Sequence, residues 1–527
     1  MVPAGAQEFS PGQAGRKGIA GTPAAPTLAP VTGWFTDLFR LFWALLYWNV
    51  RKTVFRLRRR RGVCPCQSPS DSGKAYETQC EACNSWNRAG RFRRVCPLLV
   101  DTADGLRCSV NTGEVRPFWG RALGYYGGTA TALYLLATLA VFLLLRTIGY
   151  QVDYLAVAWP PAWHRIDESR AQYFAQKGFA AFAANNIREA VFALGIACEL
   201  DPQNYRAGIT LARLWEISQP RLSDGLYARL LKSHPAQAAM TASLRLHALL
   251  ARGDFERLRD AARQQIAADP VNASPSLHAL IFATRRLHDD KSLQQLLDEP
   301  AGAPWRPVLQ AELLWRDGRK SETIALLAQP WSPPHPYFAY YQMRQLLALS
   351  RPQEALALLQ VYGALVPGDE AAATLLAVNA QLGQQEQLLR EAANWLGTAP
   401  TPAVVELLAT HLIRYPDAAL LRLVFKRLES APLPSDETGY RASCALFCAA
   451  GVVGDRERLH ALTVALKERA GATFLTLNAA EDFFLGQSAS ARIESFLPVL
   501  TLPVETLYAL LERYAAGRPA APAVKLP

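Results

Sequence analysis

Apolar and polar residues follow two rhythms along this chain. Between Arg121 and Arg146 there is no charged residue, and the run TATALYLLATLAVFLLL is long enough to cross a hydrocarbon layer about 30 Å thick. One transmembrane helix is expected over residues 122–148. Phe118, Trp119, Tyr125 and Tyr126 precede it and Tyr150, Tyr154, Trp159 and Trp163 follow, as expected of rings that settle at two interfaces. From residue 168 to residue 515 the rhythm is that of paired helices. The turn-to-proline distance repeats at 17 residues, from Asn185 to Pro202, Gly253 to Pro270, Ser350 to Pro367 and Gly383 to Pro400. Pro202, Pro235 and Pro270 fall 33 and 35 residues apart, a period that means stacked helical hairpins. The expected fold class is all-α, an α-solenoid preceded by one transmembrane helix and a small cysteine-rich basic segment.

Residues 171–204 read AQYFAQKGFAAFAANNIREAVFALGIACELDPQN. Small residues let paired helices approach, and a proline marks the end of the second one. Gly178, Ala190, Ala197 and Pro202 resemble the small, small, small and proline positions of the tetratricopeptide unit. The resemblance implies a TPR-like solenoid over residues 168–515, with a groove lined mainly by the first helices. It also implies a scaffold that holds a protein client, without catalysis. GDFERL from Gly253 and GDRERL from Gly454 open second helices in two distant units. The proline-rich stretch 300–336 leaves the register open there.

Ahead of the span, residues 1–32 are rich in Pro, Ala and Gly and are expected to be a disordered tail. Residues 33–61 carry apolar positions at helical spacing from Trp34 to Trp48, interrupted by Asp37 and Arg40, and then the cluster Arg58 to Arg61. An amphipathic helix on the membrane surface, held by lipid headgroups, fits this pattern. A short spanning helix is the alternative. Residues 149–167, with Pro160 and Pro161, are expected to be a linker, and 516–527 a flexible tail.

Location changes the meaning of the charge. The formal net charge is +11, yet residues 1–121 hold 18 Lys and Arg against 8 Asp and Glu, and the remaining 38 and 37 nearly cancel. A basic excess beside an apolar span points to retention on the cytoplasmic face, and a nucleic-acid partner is not needed to explain it. On that rule the cysteine-rich segment 62–121 is cytoplasmic. A single crossing then puts the repeats outside, in the periplasm if the membrane is a bacterial inner membrane. Gly120, Gly124 and Gly128, four apart, suit either a close helix–helix contact in a homodimer or a turn at the membrane surface.

Six of the nine cysteines crowd residues 64–108. Cys64 and Cys66, then Cys80 and Cys83, form C-x-C and C-x2-C pairs able to place four thiolates tetrahedrally around Zn²⁺. Cys96 and Cys108 are alternates, and the stretch resembles a small zinc-ribbon-like module. An iron–sulfur cluster, reduced thiols and disulfides are the other possibilities. Cys198, Cys444 and Cys448 are expected in the helical core. No zinc-protease signature, phosphate-binding loop, nucleophile elbow or dinucleotide fingerprint occurs. A non-enzymatic, membrane-anchored scaffold is therefore expected. The alternative is a transmembrane signalling protein whose cysteine module senses metal or redox state.

Overall fold

The computed structural model describes residues 127–470, 475–488 and 491–515, four short strands between Gln67 and Cys108, and the single positions Leu46 and Val50. The rest of the amphipathic segment 33–61, both tails, Gly120, Gly124, and Cys64, Cys66, Cys80, Cys83 and Cys96 lie outside the described residues. Two compact units divide at Ile166 and Asp167.

In the first unit β1 (Gln67–Ser68) pairs antiparallel with β2 (Glu77–Thr78), and β3 (Leu99–Thr102) with β4 (Gly105–Cys108). The chain is thus not wholly helical. Ala103 and Asp104 alone separate β3 from β4, and the Asp104–Gly105 step is a hairpin signal that a helical reading passes over. Helix α1 (Gly128–Ile148) has 21 residues and is long and apolar enough to cross a membrane. It ends at Gly149, whose φ of 105° only glycine adopts without strain. The stretch expected as a linker carries α2 (Tyr154–Ala158) and a 3₁₀ turn, Pro160–Ala162. Val152, Ala156 and Val157 bury themselves against Phe142, Leu145, Tyr150 and Ile166.

Helix α3 (His164–Ala183) leads into the second unit, where α4 (Ile187–Leu200) is its partner. Further pairs follow: α5 (Tyr205–Ser218) with α6 (Pro220–Ser233), α7 (Ala238–Ala251) with α8 (Phe255–Ala268), and α9 (Ser274–Leu287) with α10 (Asp290–Asp298). Then come α11 (Arg306–Arg316) with α12 (Lys320–Leu327), α13 (Pro336–Ala348) with α14 (Pro352–Tyr362), and α15 (Gly368–Gln381) with α16 (Gln385–Leu396). The last are α17 (Pro402–Arg414) with α18 (Ala418–Ser430) and α19 (Glu437–Val453) with α20 (Arg456–Ala470). Two more helices close the chain, α21 (Leu475–Leu485) and α22 (Val504–Arg513), with 3₁₀ turns at Ile493–Ser495 and Leu497–Val499 between them.

The hairpin turns explain the period. Asn185, Gly253, His288, Gly318, Ser350, Gly383 and Gly454 all have positive φ, each ending the first helix of its pair. Asn186, Asp254, Asp289 and Asp455 follow four of them, and their side chains accept a backbone N–H of the next helix. His288, Gly318 and Ser350 carry the register straight through the proline-rich stretch. Pro300, Pro307 and Pro336 lie at helix starts, where a missing N–H costs nothing. Trp305 fills the gap there, 1% exposed, with Nε1 donating to the Pro270 carbonyl at 2.7 Å. The small residues of the first pair also behave as expected. A Cβ on Gly178 would stand 2.7 Å from Leu194 Cγ and 3.1 Å from the Leu194 backbone nitrogen, and Ala190 and Ala197 are fully buried.

Candidate functional site

The groove of the repeat array is where a ligand is expected, and the structure fills much of it with the chain's own C-terminus. Six consecutive residues of α22, Thr506 to Leu511, are each at most 4% exposed. A helix buried on every side has neighbours all round. Tyr508 packs edge-on against His278 at 4.4 Å and Phe282 at 4.9 Å, both on α9. Thr506 Oγ1 shares a 2.7 Å hydrogen bond with Thr410 Oγ1 on α17. Just before α22, the Leu502 carbonyl lies 2.8 Å from His247 Nε2 on α7. Further back, Glu494 lies 3.8 Å from Arg286. First helices thus line the groove, as the sequence implies, and their shared occupant is internal.

Two carboxylates seven residues apart fasten α22 by its ends. Arg344 on α13 donates to Glu512 at 2.7 Å and to Glu505 at 3.4 Å, while Arg414 on α17 reaches Glu505 at 3.4 Å. Tyr340 Oη donates to Glu505 at 3.1 Å. Burial works against charge on Glu505, but Arg344, His278 and Arg414 outweigh it and hold the carboxyl down to about 2. Glu512 is lowered for the same reasons, burial opposed by Arg344 and Arg414.

Beside α22 lies an open cleft of about 560 Å³, whose lining includes Trp315, Gln381, Arg414, Glu370 and Arg513. Gln381 Oε1 and Arg513 Nε are buried with no hydrogen-bond partner within the protein. Burial first, then Asp369 and Glu505, pushes the Glu370 carboxyl up to about 7. Arg344 and Arg414 are already committed to Glu505 and Glu512, so this arrangement is built to hold a shape.

Two histidines give the site a pH response. Burial, then Arg344, pushes His278 down to about 3, and Arg344 Nη1 donates to its Nε2 at 3.0 Å. Burial, then Arg414, lowers His411 to about 4. Both folded values lie below the unfolded one, so their stabilisation is full above about pH 6.5 and declines as pH falls toward 4 and 3. Acidification from pH 7.5 to 5 is expected to cost up to about 2 kcal/mol per histidine. Protonation of the raised Glu370 carboxyl acts in the opposite sense over the same range, so thermal unfolding of the chain is compared with that of a His278→Gln/His411→Gln variant, and an equal pH dependence of the two would contradict the expectation.

The sequence-predicted metal site is placed only at its margin. Cys108 ends β4, opposite Leu99. Among the described residues no group of three or more His, Cys, Asp or Glu is arranged to hold a metal. Cys198, Cys444 and Cys448 are buried and unpaired, as expected of core residues. Burial pushes the Cys198 thiol up to about 11 and the Cys444 thiol to about 12, so neither is a nucleophile near neutral pH.

No family model matches the chain, and no curated protein matches it. Among solved structures, the TPR domain of P58(IPK) is similar at 14% identity over 65% of this chain and 92% of that one, with a TM-score of 0.17. The helical-repeat architecture stands on the pairing and turns described above.

Proposed function

We propose that the chain is a non-catalytic, membrane-anchored scaffold whose repeat array holds another protein. The stacked helix pairs carry this reading, because such arrays bury only their neighbours' faces and leave extended surfaces for partners. With α22 seated between α7 and α17, the client surface falls to the first pairs. Phe192 is 67% exposed and Ile217 59%, and Phe182 and Leu222 are also exposed. Exposed apolar side chains on four successive helices are the positions at which a client would make contact. A photo-reactive phenylalanine analogue at Phe192, in the full chain, is expected to cross-link one protein that also survives mild detergent extraction. If every co-purified protein remains after residues 167–515 are removed, the scaffold reading fails.

Helix α1 supports the anchor, and the basic excess before it supports a cytoplasmic N-terminal part at an inner membrane. A single crossing would deliver the repeats to the periplasm, whereas a hairpin would return them. Homodimerisation through Gly120, Gly124 and Gly128 belongs to the same proposal.

The cysteine-rich segment is proposed to bind zinc. In β1–β2, Gln67, directly after Cys66 in sequence, pairs with Thr78, two positions before Cys80. That pairing favours Cys64, Cys66, Cys80 and Cys83 as ligands, with Cys96 and Cys108 as the alternates. About one zinc per chain by elemental mass spectrometry, lost when the four are replaced by Ser, is expected for a tetrahedral thiolate site. Unchanged metal content in that variant would remove both this site and the sensor reading built on it.

A further inference from the structure

The segment after α1 does not leave it. Tyr134 Oη donates to the Ala158 carbonyl at 2.6 Å, and Tyr154 Oη shares a 3.1 Å hydrogen bond with Thr138 Oγ1. The Phe142 and Tyr154 rings meet edge-on at 5.7 Å. Trp163 Nε1 then donates to the Val157 carbonyl at 3.2 Å, which ties the 3₁₀ turn to α2. From Gly149 the chain therefore runs back along α1 toward the helix's N-terminal half.

Depth follows from helix geometry. At 1.5 Å per residue, Thr138 lies about 15 Å below Ile148, and Tyr134 about 21 Å below it. A segment that touches the middle of a membrane-spanning helix shares its depth in the bilayer. The chemistry of the segment agrees. Residues 154–163 read YLAVAWPPAW, without a charge. Leu155 is 73% exposed, Trp159 64% and Trp163 55%, which extends the exposed apolar surface of α1 at Leu133, Leu136, Leu143 and Leu144. Charged groups sit at the two ends only, Arg146 and Asp153 around the turn and His164 and Arg165 beyond Trp163.

Resting on the reading of α1 as membrane-embedded, we propose that residues 150–163 are embedded with it. The two form a hairpin that goes into the bilayer and leaves it on the same face. Tyr134, Trp159 and Trp163 form one aromatic belt at that face, and Arg146, Gln151 and Asp153 form a polar tip near the other. Leaving by the far face would draw His164, Arg165, Asp167 and Glu168 through hydrocarbon, a crossing that membranes oppose strongly. The path from belt to tip, about 21 Å, is about 9 Å shorter than a ~30 Å layer, a mismatch that local thinning absorbs at fractions of a kcal/mol per Å. The chain after Trp163 then follows on the side of the cysteine-rich segment, in place of the periplasmic side that a single crossing gives.

The test uses the full chain in sealed inner-membrane vesicles of known orientation, with one epitope tag inserted after residue 112, between the 33–61 segment and α1, another at the C-terminus, and an impermeant protease. Both tags are expected to be cleaved together or protected together. Cleavage of one with protection of the other overturns the hairpin and leaves the anchor standing. Release of the chain by alkaline carbonate overturns anchor and hairpin alike. Leu155→Lys is a second probe, because Leu155 is on the surface and its replacement disturbs no packing. It is expected to lower the share of chains whose two tags lie on one face by about tenfold while Leu155→Phe leaves that share unchanged. An equal share for both variants also overturns the proposal.

Discussion

Replacing Glu312 by Ala is expected to lower the stability of the repeat domain by about 3–5 kcal/mol, the usual cost of breaking a buried ion pair from one side. Glu312 is fully buried on α11. Arg285 donates to it through Nε at 2.7 Å and Nη2 at 2.5 Å, Arg316 through Nε at 2.9 Å, and Tyr341 through Oη at 2.9 Å. Burial alone would raise its pKa, yet Arg285 and then Arg316 hold it below the usual carboxylate range. The network joins α9, α11 and α13, three successive first helices. Truncation takes a fully buried carboxylate away from two guanidiniums whose side chains are 24% and 8% exposed, which is why the expected loss exceeds that of a surface pair. Denaturant unfolding followed by helical circular dichroism measures it. A loss under about 1 kcal/mol would place Glu312 in water.

Leu507→Ala and Leu510→Ala, both in α22, are each expected to cost about 2–5 kcal/mol through lost burial and the cavity left behind. Both side chains are 0% exposed. Together they should loosen α22 from the groove, and binding of a hydrophobic dye should report the uncovered walls. Val504, 42% exposed on the same helix, is the control, and its change to Ala should stay within about 0.5 kcal/mol. If the two leucine variants matched that control, α22 would be resting on the surface and not filling the groove.

The repeats were legible because their physics is local. A positive-φ residue, an Asn or Asp cap and a small residue opposite a leucine each leave a mark in sequence, as at Asn185, Asn186 and Gly178. Register failed between 300 and 336 because Pro300, Pro304 and Pro307 look like breaks, whereas each stands where the chain turns or begins a helix. The filling of the groove was not legible, since Tyr508 meets His278 across 230 residues and no period records that. One signal was present: the run LYALL between Glu505 and Glu512 is apolar around the whole helix, not along one stripe. The strands near the cysteines were hidden by their brevity. The return of residues 150–163 along α1 was hidden by Pro160 and Pro161, which suggest a linker but here form a tight 3₁₀ turn.

The claim that the array closes on its own C-terminal helix is tested most directly by hydrogen exchange on the full chain in mild detergent. Amides of residues 504–513 are predicted to exchange as slowly as those of α17, because helix and wall open only together. Exchange of that peptide within seconds, with α17 still protected, would contradict the account.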